Sequence, residues 1–208
     1  MPPRSNLPYG ERIVLATRNP GKVDELRALL AGLPVELVSA AEIGGAPEVE
    51  EDAPTLEGNA EKKAHTLRAY TGLPSLADDT GLEVDALGGA PGVHSARFAG
   101  PDADDAANRA RLLRDLDRAT DRSARFRTVL AFAGGGEVRF FEGVCSGAIT
   151  ESGRGEGGFG YDAVFQPEGE TRTFAEMPPE AKNAISHRGR ALARFAAFLR
   201  VRLSTPEV

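Results

Sequence analysis

The amino-acid sequence predicts an α/β domain built on a mixed β-sheet, and three observations support this fold class. The β-branched runs IVLAT (13–17) and VELVS (35–39) flank a segment, 22–33, whose apolar residues recur at helical spacing. Later, two strand-like runs surround three glycines in 127–150, which is typical of a β-hairpin. Strands joined by a helix favour parallel pairing, whereas a hairpin is antiparallel, so we expect the sheet to be mixed.

The remaining elements follow in chain order from the same patterns. Thr55 is a candidate N-cap for a helix over about 56–70. The segment 75–87 predicts two strands, SLADD and LEVDAL, separated by a break at Thr80-Gly81. Further along we expect a tight turn at 88–92, a solvent-facing helix over 101–120, a short strand at 162–165, a loop over 176–190 and a final helix to about Leu203.

Composition and charge limit the class of protein. A formal net charge of −6 disfavours a protein that coats nucleic acid, although a few local Lys and Arg residues suffice to bind a phosphorylated small molecule. The single cysteine, Cys145, cannot form an internal disulfide and fits a reducing, cytoplasmic compartment. No run approaches the roughly 18 apolar residues of a membrane span. We therefore expect a soluble intracellular protein with a loose tail over 1–11 and a single two-lobed domain over 12–204.

The segment LATRNPGK (15–22) is a candidate polyphosphate-binding loop. A strand, a Gly-containing turn and a helix start offer backbone N–H groups at the positive end of a helix dipole. Thr17 and Asn19 add neutral hydrogen-bonding groups, and Lys22 adds a positive charge. The segment is not a Walker loop, because the leading glycine is missing and Val23 stands where the Mg²⁺-binding Ser/Thr would be. An ordinary strand–turn–helix corner is the alternative interpretation.

The glycine-rich stretch GRGEGG (153–158) matches a dinucleotide-binding fingerprint by letter only. The strand-like segment FGYDAVF follows it where the fingerprint requires a helix, so we reject that interpretation. The glycines could instead bring the backbone close to a flat ligand, with Phe159 or Tyr161 stacking on it. The alternative is a flexible loop whose aromatic side chains pack in the core.

A basic segment, AKNAISHRGR (181–190), precedes the last helix. Ser186 is a candidate N-cap, which places His187 and Arg188 in the first helical turn. Positive side chains there oppose the helix dipole unless they face an anion or another acceptor. Together with Lys182, they are natural partners for phosphate or carbonyl oxygens.

The adjacent Asp78 and Asp79 follow an apolar strand and are candidates for metal binding. Successive strand residues point to opposite faces, so the two carboxylates are not expected to share one proton. An Asp and one nearby Glu would suit Mg²⁺, which takes few protein carboxylates and keeps several waters. Further acidic candidates are Glu50, Glu51, Asp52 and Glu57. A turn-forming cluster of aspartates is the alternative interpretation.

Four segments, ATRNPGK, SLADDTGLEVDALGGAPGVHSARFAG, GFGYDAVF and KNAISHRG, occur in this order over residues 13 to about 195. In this order they resemble the inosine triphosphate pyrophosphatase family, whose members are also called dITP/XTP pyrophosphatases. The resemblance implies a long curved mixed β-sheet flanked by helices, with two lobes around a central substrate cleft, and a homodimer. It also implies Mg²⁺-dependent hydrolysis of non-standard purine nucleoside triphosphates (ITP, dITP, XTP) to the monophosphate and pyrophosphate, which cleanses the nucleotide pool.

The resemblance assigns roles by position. Asp79 corresponds to the catalytic, metal-binding aspartate of the family. Glu51 is our choice for the second metal ligand, because Gly58 stands where a related family segment has a Glu. The residues implied for the polyphosphate are Thr17, Arg18, Asn19, Pro20, Gly21 and Lys22. The other implied substrate-binding residues are Thr80, Phe159, Gly160, Tyr161, Asp162, Lys182, His187 and Arg188.

Two alternative functions stay open at this point. One is a nucleotide pyrophosphatase of the septum-inhibitor type, which acts on modified pyrimidines with a similar fold. The other is a catalytically silent, nucleotide-binding regulator. The order of the motifs argues against the first, and the intact set of Lys22, Asp79 and Arg188 argues against the second.

Overall fold

The computed structural model describes residues 12–204, so the predicted N-terminal tail lies outside the described residues. The strands in this range are β1 (Arg12–Leu15), β2 (Glu36–Ser39), β3 (Ser75–Val84), β4 (Pro91–Gly92), β5 (Ser123–Ala133), β6 (Arg139–Ile149) and β7 (Phe165–Pro167). The helices are α1 (Pro20–Leu29), α2 (Leu56–Thr71), α3 (Asp105–Asp115), α4 (Pro179–Ile185) and α5 (His187–Ser204). Within residues 12–204, no helix is long and apolar enough to cross a membrane.

The strands form one mixed sheet, as the sequence predicts. Its order is β2-β1-β3-β5-β6-β7, and the short β4 pairs with β3 beside this path. β1 is parallel to both β2 and β3, whereas β3 with β4 and β6 with β7 are antiparallel. β5 and β6 are neighbours joined by residues 134–138, and so short a connection joins antiparallel strands, which confirms the predicted hairpin.

The chain divides into two compact units, each with its own apolar core. Unit 1 comprises residues 12–79, 129–142 and 191–204 of the described chain. Its core joins β1, α1, β5 and α5 through side chains that are almost fully buried. Phe132 and Phe195 pack there with ring centroids 5.2 Å apart. Burial of such rings removes large apolar areas from water and stabilises this unit.

Unit 2 comprises residues 80–128 and 143–190. Its core contains Leu82, Leu112 and an aromatic cluster, all nearly inaccessible to solvent. The ring of Phe126 packs edge-on against Phe165, with centroids 4.7 Å apart, and Phe174 lies beside both. The aromatic cluster also contacts the basic segment, because the ring of His187 stacks on Phe126.

Side-chain caps begin three helices, and two of them, Thr55 and Ser186, match the predicted capping residues. The side chain of Asn19 accepts a hydrogen bond from the Lys22 N–H, and Pro20 occupies the first position of α1. Thr55 accepts from the Gly58 N–H at 3.1 Å and begins α2. Ser186 accepts from the Gly189 N–H at 3.0 Å at the start of α5. Each cap satisfies an N–H group that the helix leaves without an internal partner.

The predicted break at Thr80-Gly81 is wrong, because β3 continues through both residues to Val84. Gly81 here serves close packing. A Cβ at this position would lie 2.8 Å from the carbonyl oxygen of Gly92, and β4 pairs with β3 at the next residue, Leu82. A glycine within a strand can therefore mark the close approach of another backbone instead of a turn.

Two predictions for the C-terminal third also need correction. The predicted loop 176–190 contains helix α4, because Pro179 sits at a helix start, where its missing N–H costs nothing. The strand predicted at 162–165 begins only at Phe165, and the residues before it form a turn. The predicted final helix is confirmed as α5, which begins at His187, directly after the predicted cap Ser186.

Candidate active site

Asp78 and Asp79 lie inside β3, so the interpretation as a turn-forming cluster is wrong. Their carboxylates have different partners, as the alternation of side chains along a strand predicts. Asp78 forms an ion pair with Lys22, whose Nζ lies 3.0 Å from Oδ2, and Asp79 forms one with Lys63 at 2.9 Å. The Asp78 side chain is 1% exposed and that of Asp79 is 7% exposed. Both carboxylates are thus buried ions with ammonium partners.

Lys63 organises the acidic group and was not identified from the sequence. Its ammonium lies 2.9 Å from Oδ1 of Asp79 and 3.2 Å from Oε1 of Glu51, and it donates at 2.7 Å to the main-chain carbonyl of Asp78. Asn59, one turn earlier on α2, donates from Nδ2 to Oδ2 of Asp79 at 3.3 Å. Its Oδ1 accepts the N–H of Ala53 at 2.9 Å, which anchors the preceding loop.

A sequence signal for Lys63 exists in the pattern of α2. The buried face of this helix carries the small and apolar residues Ala60, Ala64 and Leu67 at helical spacing. The same face also carries the polar residues Asn59 and Lys63. A Lys on such a face is costly to bury unless it meets an opposite charge. Spacing alone therefore indicates a buried ion pair, but it does not say which carboxylates complete it.

The carboxyl groups of Glu51 and Asp79 lie within hydrogen-bonding distance of each other, and both contact the ammonium of Lys63. Burial, together with the negative charge of Glu51, raises the pKa of Asp79 to about 6, although Lys63 opposes this rise. Burial would also raise the pKa of Glu51, but the charge of Lys63 and the bond with Asp79 outweigh it and lower that pKa. Burial opposes the charge of Lys63, yet Asp79, Glu51 and Asp78 raise its pKa. Of the two carboxyl groups, that of Asp79 therefore has the higher pKa.

This pair fits a divalent cation. Two neighbouring carboxylates repel each other when both are ionised, and a cation bound between them offsets that repulsion. Among the described residues, no group of three or more His, Cys, Asp or Glu could hold a metal ion. A two-carboxylate set suits Mg²⁺, which completes its octahedron with waters and substrate phosphate oxygens. Glu51 and Asp79 are thus the residues of unit 1 that could hold Mg²⁺.

The segment between β1 and α1 has the geometry of the strand–turn–helix corner foreseen in the sequence. Thr17 accepts the N–H of Asn19 at 3.3 Å, and Arg18 donates to the carbonyl of Ala46 at 2.5 Å. Pro20 has no N–H, and Lys22 and Val23 donate theirs to the side chain and the carbonyl of Asn19, so this start of α1 offers an anion the Gly21 N–H and the helix dipole. Lys22 reaches from the same turn to Asp78, so a positive charge lies beside this helix start.

In unit 2 the structure brings Phe159, Lys182 and Arg188 together. The Nζ of Lys182 lies 5.0 Å from the centroid of the half-buried Phe159 ring, and the Cζ of Arg188 lies 5.5 Å from it. Nη2 of Arg188 donates to Oγ1 of Thr80 at 3.3 Å, and Thr80 shares a 2.6 Å hydrogen bond with Thr128. Two cations near one aromatic ring have the chemistry that suits a flat ligand with hydrogen-bond acceptors.

Asp162 fixes the turn that carries Phe159. Its Oδ2 accepts the N–H of Phe159 at 2.9 Å and forms a 2.8 Å ion pair with Lys182. A Cβ at residue 158 would collide with this carboxylate, so Gly158 is required for the turn to close. The glycines here serve packing inside the protein, and the turn holds Lys182 against Phe159.

The side chains of Tyr161 and His187 are buried in the core of unit 2. The hydroxyl of Tyr161 donates to the carbonyl of Ser95 at 2.8 Å, and burial raises its pKa. The ring of His187 stacks on Phe126, with centroids 4.4 Å apart. Of the two aromatic residues considered for stacking, Phe159 is the one with a partly exposed ring, whereas Tyr161 packs in the core.

Cys145 and Asp104 have no proposed role in catalysis. Cys145 is buried, and burial raises the pKa of its thiol, which disfavours a reactive thiolate. Asp104 caps α3 by accepting the Ala107 N–H at 2.7 Å. Neither residue belongs to the two groups described above.

Comparisons with known proteins agree with the predicted resemblance. A model of the Ham1 family matches residues 13–198. A dITP/XTP pyrophosphatase from Geobacter sulfurreducens is 52% identical over 185 residues, which cover 88% of this chain and 93% of that protein. The solved structure of a HAM1 protein from Coxiella burnetii is 40% identical, with a TM-score of 0.85 over 91% of this chain and 98% of that one.

A second solved structure extends the comparison. A nucleoside-triphosphatase/dITP/XTP pyrophosphatase from Mycobacterium abscessus is 46% identical, with a TM-score of 0.71 over 88% of this chain and 98% of that one. The family match begins at β1 and ends within α5, so it includes all four motifs and both residue groups. The family predicted from these motifs is confirmed, and the chain belongs to the Ham1 family.

Proposed function

We propose that this protein is a Mg²⁺-dependent pyrophosphatase that hydrolyses the non-standard purine nucleoside triphosphates ITP, dITP and XTP to the monophosphate and pyrophosphate. This activity would keep deaminated purines out of DNA and RNA. The observation that carries the proposal is the pair formed on Lys63 by the buried Asp79 and the partly exposed Glu51, a donor set for a divalent cation. The names of the relatives, dITP/XTP pyrophosphatases, supply the substrate class.

Asp79 is the proposed catalytic residue. Mg²⁺, held by Asp79 and Glu51, would supply positive charge that stabilises the charge developing on the phosphate oxygens. Asp79 is also the proposed acceptor of the proton from the attacking water, because its carboxylate would lie beside the metal. Lys63 and Asn59 orient both oxygens of the Asp79 carboxylate, so its position is fixed before substrate arrives.

The triphosphate is proposed to bind at the start of α1. The N–H of Gly21, the dipole of α1 and the ammonium of Lys22 would balance the negative charge of the β- and γ-phosphates. Asp78 holds Lys22 in place and is therefore a positioning residue rather than a ligand of the substrate. Thr17, Arg18 and Asn19 shape the turn through their own hydrogen bonds.

The base is proposed to bind against Phe159 in unit 2. Hypoxanthine and xanthine present a carbonyl oxygen at position six, where adenine presents an amino donor. Lys182 and Arg188 are donors, so they would pair with that oxygen and leave the amino group of adenine unmatched. A site built for one hydrogen-bonding pattern can reject the other by a factor of roughly 10⁴.

One assay tests the proposal. Pyrophosphate release by the full chain is measured with ITP, dITP, XTP, GTP, ATP and dTTP, each with Mg²⁺ and with a chelator. We expect release from ITP, dITP and XTP at a kcat/KM at least about 10²-fold above that for ATP, and none with chelator. Hydrolysis of dTTP alone would indicate the pyrimidine-directed alternative, and binding without release would indicate the silent regulator; either result contradicts the proposal.

We further propose that the protein acts in the cytoplasm as a homodimer. The single cysteine and the properties implied by the family resemblance support this assignment. Light scattering coupled to size exclusion should give twice the mass of one chain. A mass of one chain at micromolar concentration would contradict the dimer without affecting the proposed activity.

A further inference from the structure

We propose that Asp105 and Arg109, on the exposed side of α3, are positioning residues that hold the Phe159 turn in the shape that receives the base. Oδ2 of Asp105 accepts the N–H of Gly160 at 2.6 Å, and Nη1 of Arg109 donates to the carbonyl of the same residue at 2.6 Å. Two charged side chains, one turn apart on a helix, thus bind both main-chain polar groups of one glycine. We call these two hydrogen bonds the Gly160 clamp. The inference rests on the proposed function, because it takes this turn to be the base-binding element.

Helix capping does not account for Asp105. The N-cap of α3 is Asp104, whose side chain accepts the N–H of Ala107. An acidic residue at the first helical position interacts favourably with the helix dipole, which contributes only about 0.3–1 kcal/mol and specifies no partner. The carboxylate of Asp105 instead reaches a main-chain N–H that is 55 residues away in the sequence.

Helix α3 provides a firm base for the clamp. Asn108, which is 2% exposed, accepts the N–H of Ala99 at 2.7 Å and donates to the carbonyl of Ala96 at 3.1 Å. Leu112 is fully buried in the core of unit 2. Residues 105 and 109 therefore project from a helix that both hydrogen bonds and apolar packing hold in place.

The clamp binds Gly160, the residue directly after Phe159, whose ring is proposed to contact the base. Gly160 adopts a positive φ of 60°, and it follows Phe159 directly. Asp162 holds the N–H of Phe159 from within the turn, whereas the clamp holds Gly160 from outside it. Fixing the main chain on both sides of Phe159 limits how far its ring can move from Lys182 and Arg188. Such preorganisation lowers the cost of ordering the turn when a ligand binds.

A set of matched variants tests this role. Asp105→Ala and Arg109→Met remove one side of the clamp each, and Asp105→Asn keeps an oxygen that can accept the Gly160 N–H. Asp102→Ala and Arg114→Met are the controls, since both residues are exposed and Arg114 lies on the same helix. Charge-assisted hydrogen bonds contribute more than neutral ones, so we expect each clamp variant to raise KM for ITP about 5- to 10-fold, with kcat within about twofold.

Recovery by the conservative variant separates positioning from general stability. Asp105→Asn should return KM to within about twofold of the original value, because its amide oxygen restores the acceptor. The ratio of kcat/KM for ITP to that for ATP should fall in both clamp variants and stay unchanged in both controls. An unchanged KM and ratio in Asp105→Ala and Arg109→Met, or equal effects in the controls, would overturn the inference.

A second measurement does not depend on activity. The chain contains no tryptophan, so Phe159→Trp introduces a single fluorescent reporter into the turn. In this background, Asp105→Ala and Arg109→Met should increase collisional quenching by acrylamide, and Asp105→Asn should not. Unchanged quenching in the first two variants shows that the clamp does not order the turn and overturns the inference. If the chain releases no pyrophosphate from any substrate, the proposed function fails, and quenching still decides whether the clamp exists.

Discussion

The two candidate residue groups, one in each unit, differ in the balance of their charges. In unit 1, the carboxylates of Glu51, Asp78 and Asp79 lie together with the two ammonium groups of Lys22 and Lys63. In unit 2, Lys182 and Arg188 lie together around Phe159, and Lys182 pairs with the carboxylate of Asp162. One group is therefore acidic on balance and the other is basic.

The difference teaches what each group is suited to bind. Burial and the charge of Glu51 raise the pKa of Asp79, and a cation bound beside these carboxylates favours their ionised forms. A basic group around an aromatic ring is suited to a flat ligand with acceptor oxygens. The net charge of the whole chain, −6, says nothing about either group, since the local balances have opposite signs.

The largest expected effect is the loss of turnover in Asp79→Asn. This change removes a proposed metal ligand and proton acceptor, so kcat should fall by a factor on the order of 10² or more. The control is Asp52→Asn, since Asp52 is an exposed partner of Lys62 in the same segment as Glu51. Steady-state pyrophosphate release with saturating Mg²⁺ measures both. A kcat near the original value in Asp79→Asn would remove the acidic group from the mechanism.

Lys63→Met should reduce stability more than Lys62→Met, although the two residues are neighbours on α2. The Lys63 side chain is 9% exposed, and its loss leaves the buried carboxylate of Asp79 without its ammonium partner. Even after Asp79 has taken up a proton, the unfolding free energy should be lower by about 2–3 kcal/mol. Lys62 is 41% exposed in its pair with Asp52, so its loss should cost less than about 1 kcal/mol. Urea unfolding measures both values, and equal values would contradict the buried-pair interpretation.

Arg188→Ala should weaken the discrimination between ITP and ATP. The guanidinium is a proposed donor to the six-position oxygen, so the ratio of kcat/KM for the two substrates should fall about tenfold. Arg190→Ala is the control, because Arg190 is exposed and donates instead to the carbonyl of Val144. An unchanged ratio in Arg188→Ala, at retained folding, would contradict the role of the basic group.

The smallest effect concerns Glu42, an exposed counterpart of the buried pairs in unit 1. Hydrogen bonds from Arg27 and the Ser39 N–H lower the pKa of Glu42 to about 2. Because this folded-state pKa lies below the ordinary value, the carboxylate stabilises the fold above about pH 4.5, and the gain disappears as the pH falls towards 2.

The test of Glu42 compares Glu42→Gln with the original chain by urea unfolding at neutral pH and near pH 2. Glu42→Gln should be less stable at neutral pH, and the difference should vanish near pH 2. A difference of the same size at both pH values would show that the contribution of Glu42 does not come from its charge. The pair of Arg27 and Glu42 would then not serve as an exposed reference for the buried pairs of Lys22 and Lys63.

Local patterns predicted much of this structure, and non-local packing explains what they missed. The caps Thr55 and Ser186 were predicted because capping depends on the few residues that follow, whereas Asn19 was considered only as a hydrogen-bonding group for an anion. The continuity of β3 was missed because pairing with β4 overrides the turn preference of Thr-Gly. Lys63 was missed because its partners lie in a loop and a strand that are distant in sequence, and helical spacing alone does not identify them.

Strand β3 also limits which changes of length this chain can accept. Three consecutive residues, Asp78, Asp79 and Thr80, contact Lys22, Lys63 and Arg188 in turn. A single inserted or deleted residue upstream in the strand would move each side chain to the opposite face. A change of two residues would keep the faces but shift every contact by about 7 Å. Variants of this segment should therefore differ by substitution, while differences in length collect in loops on either side of it.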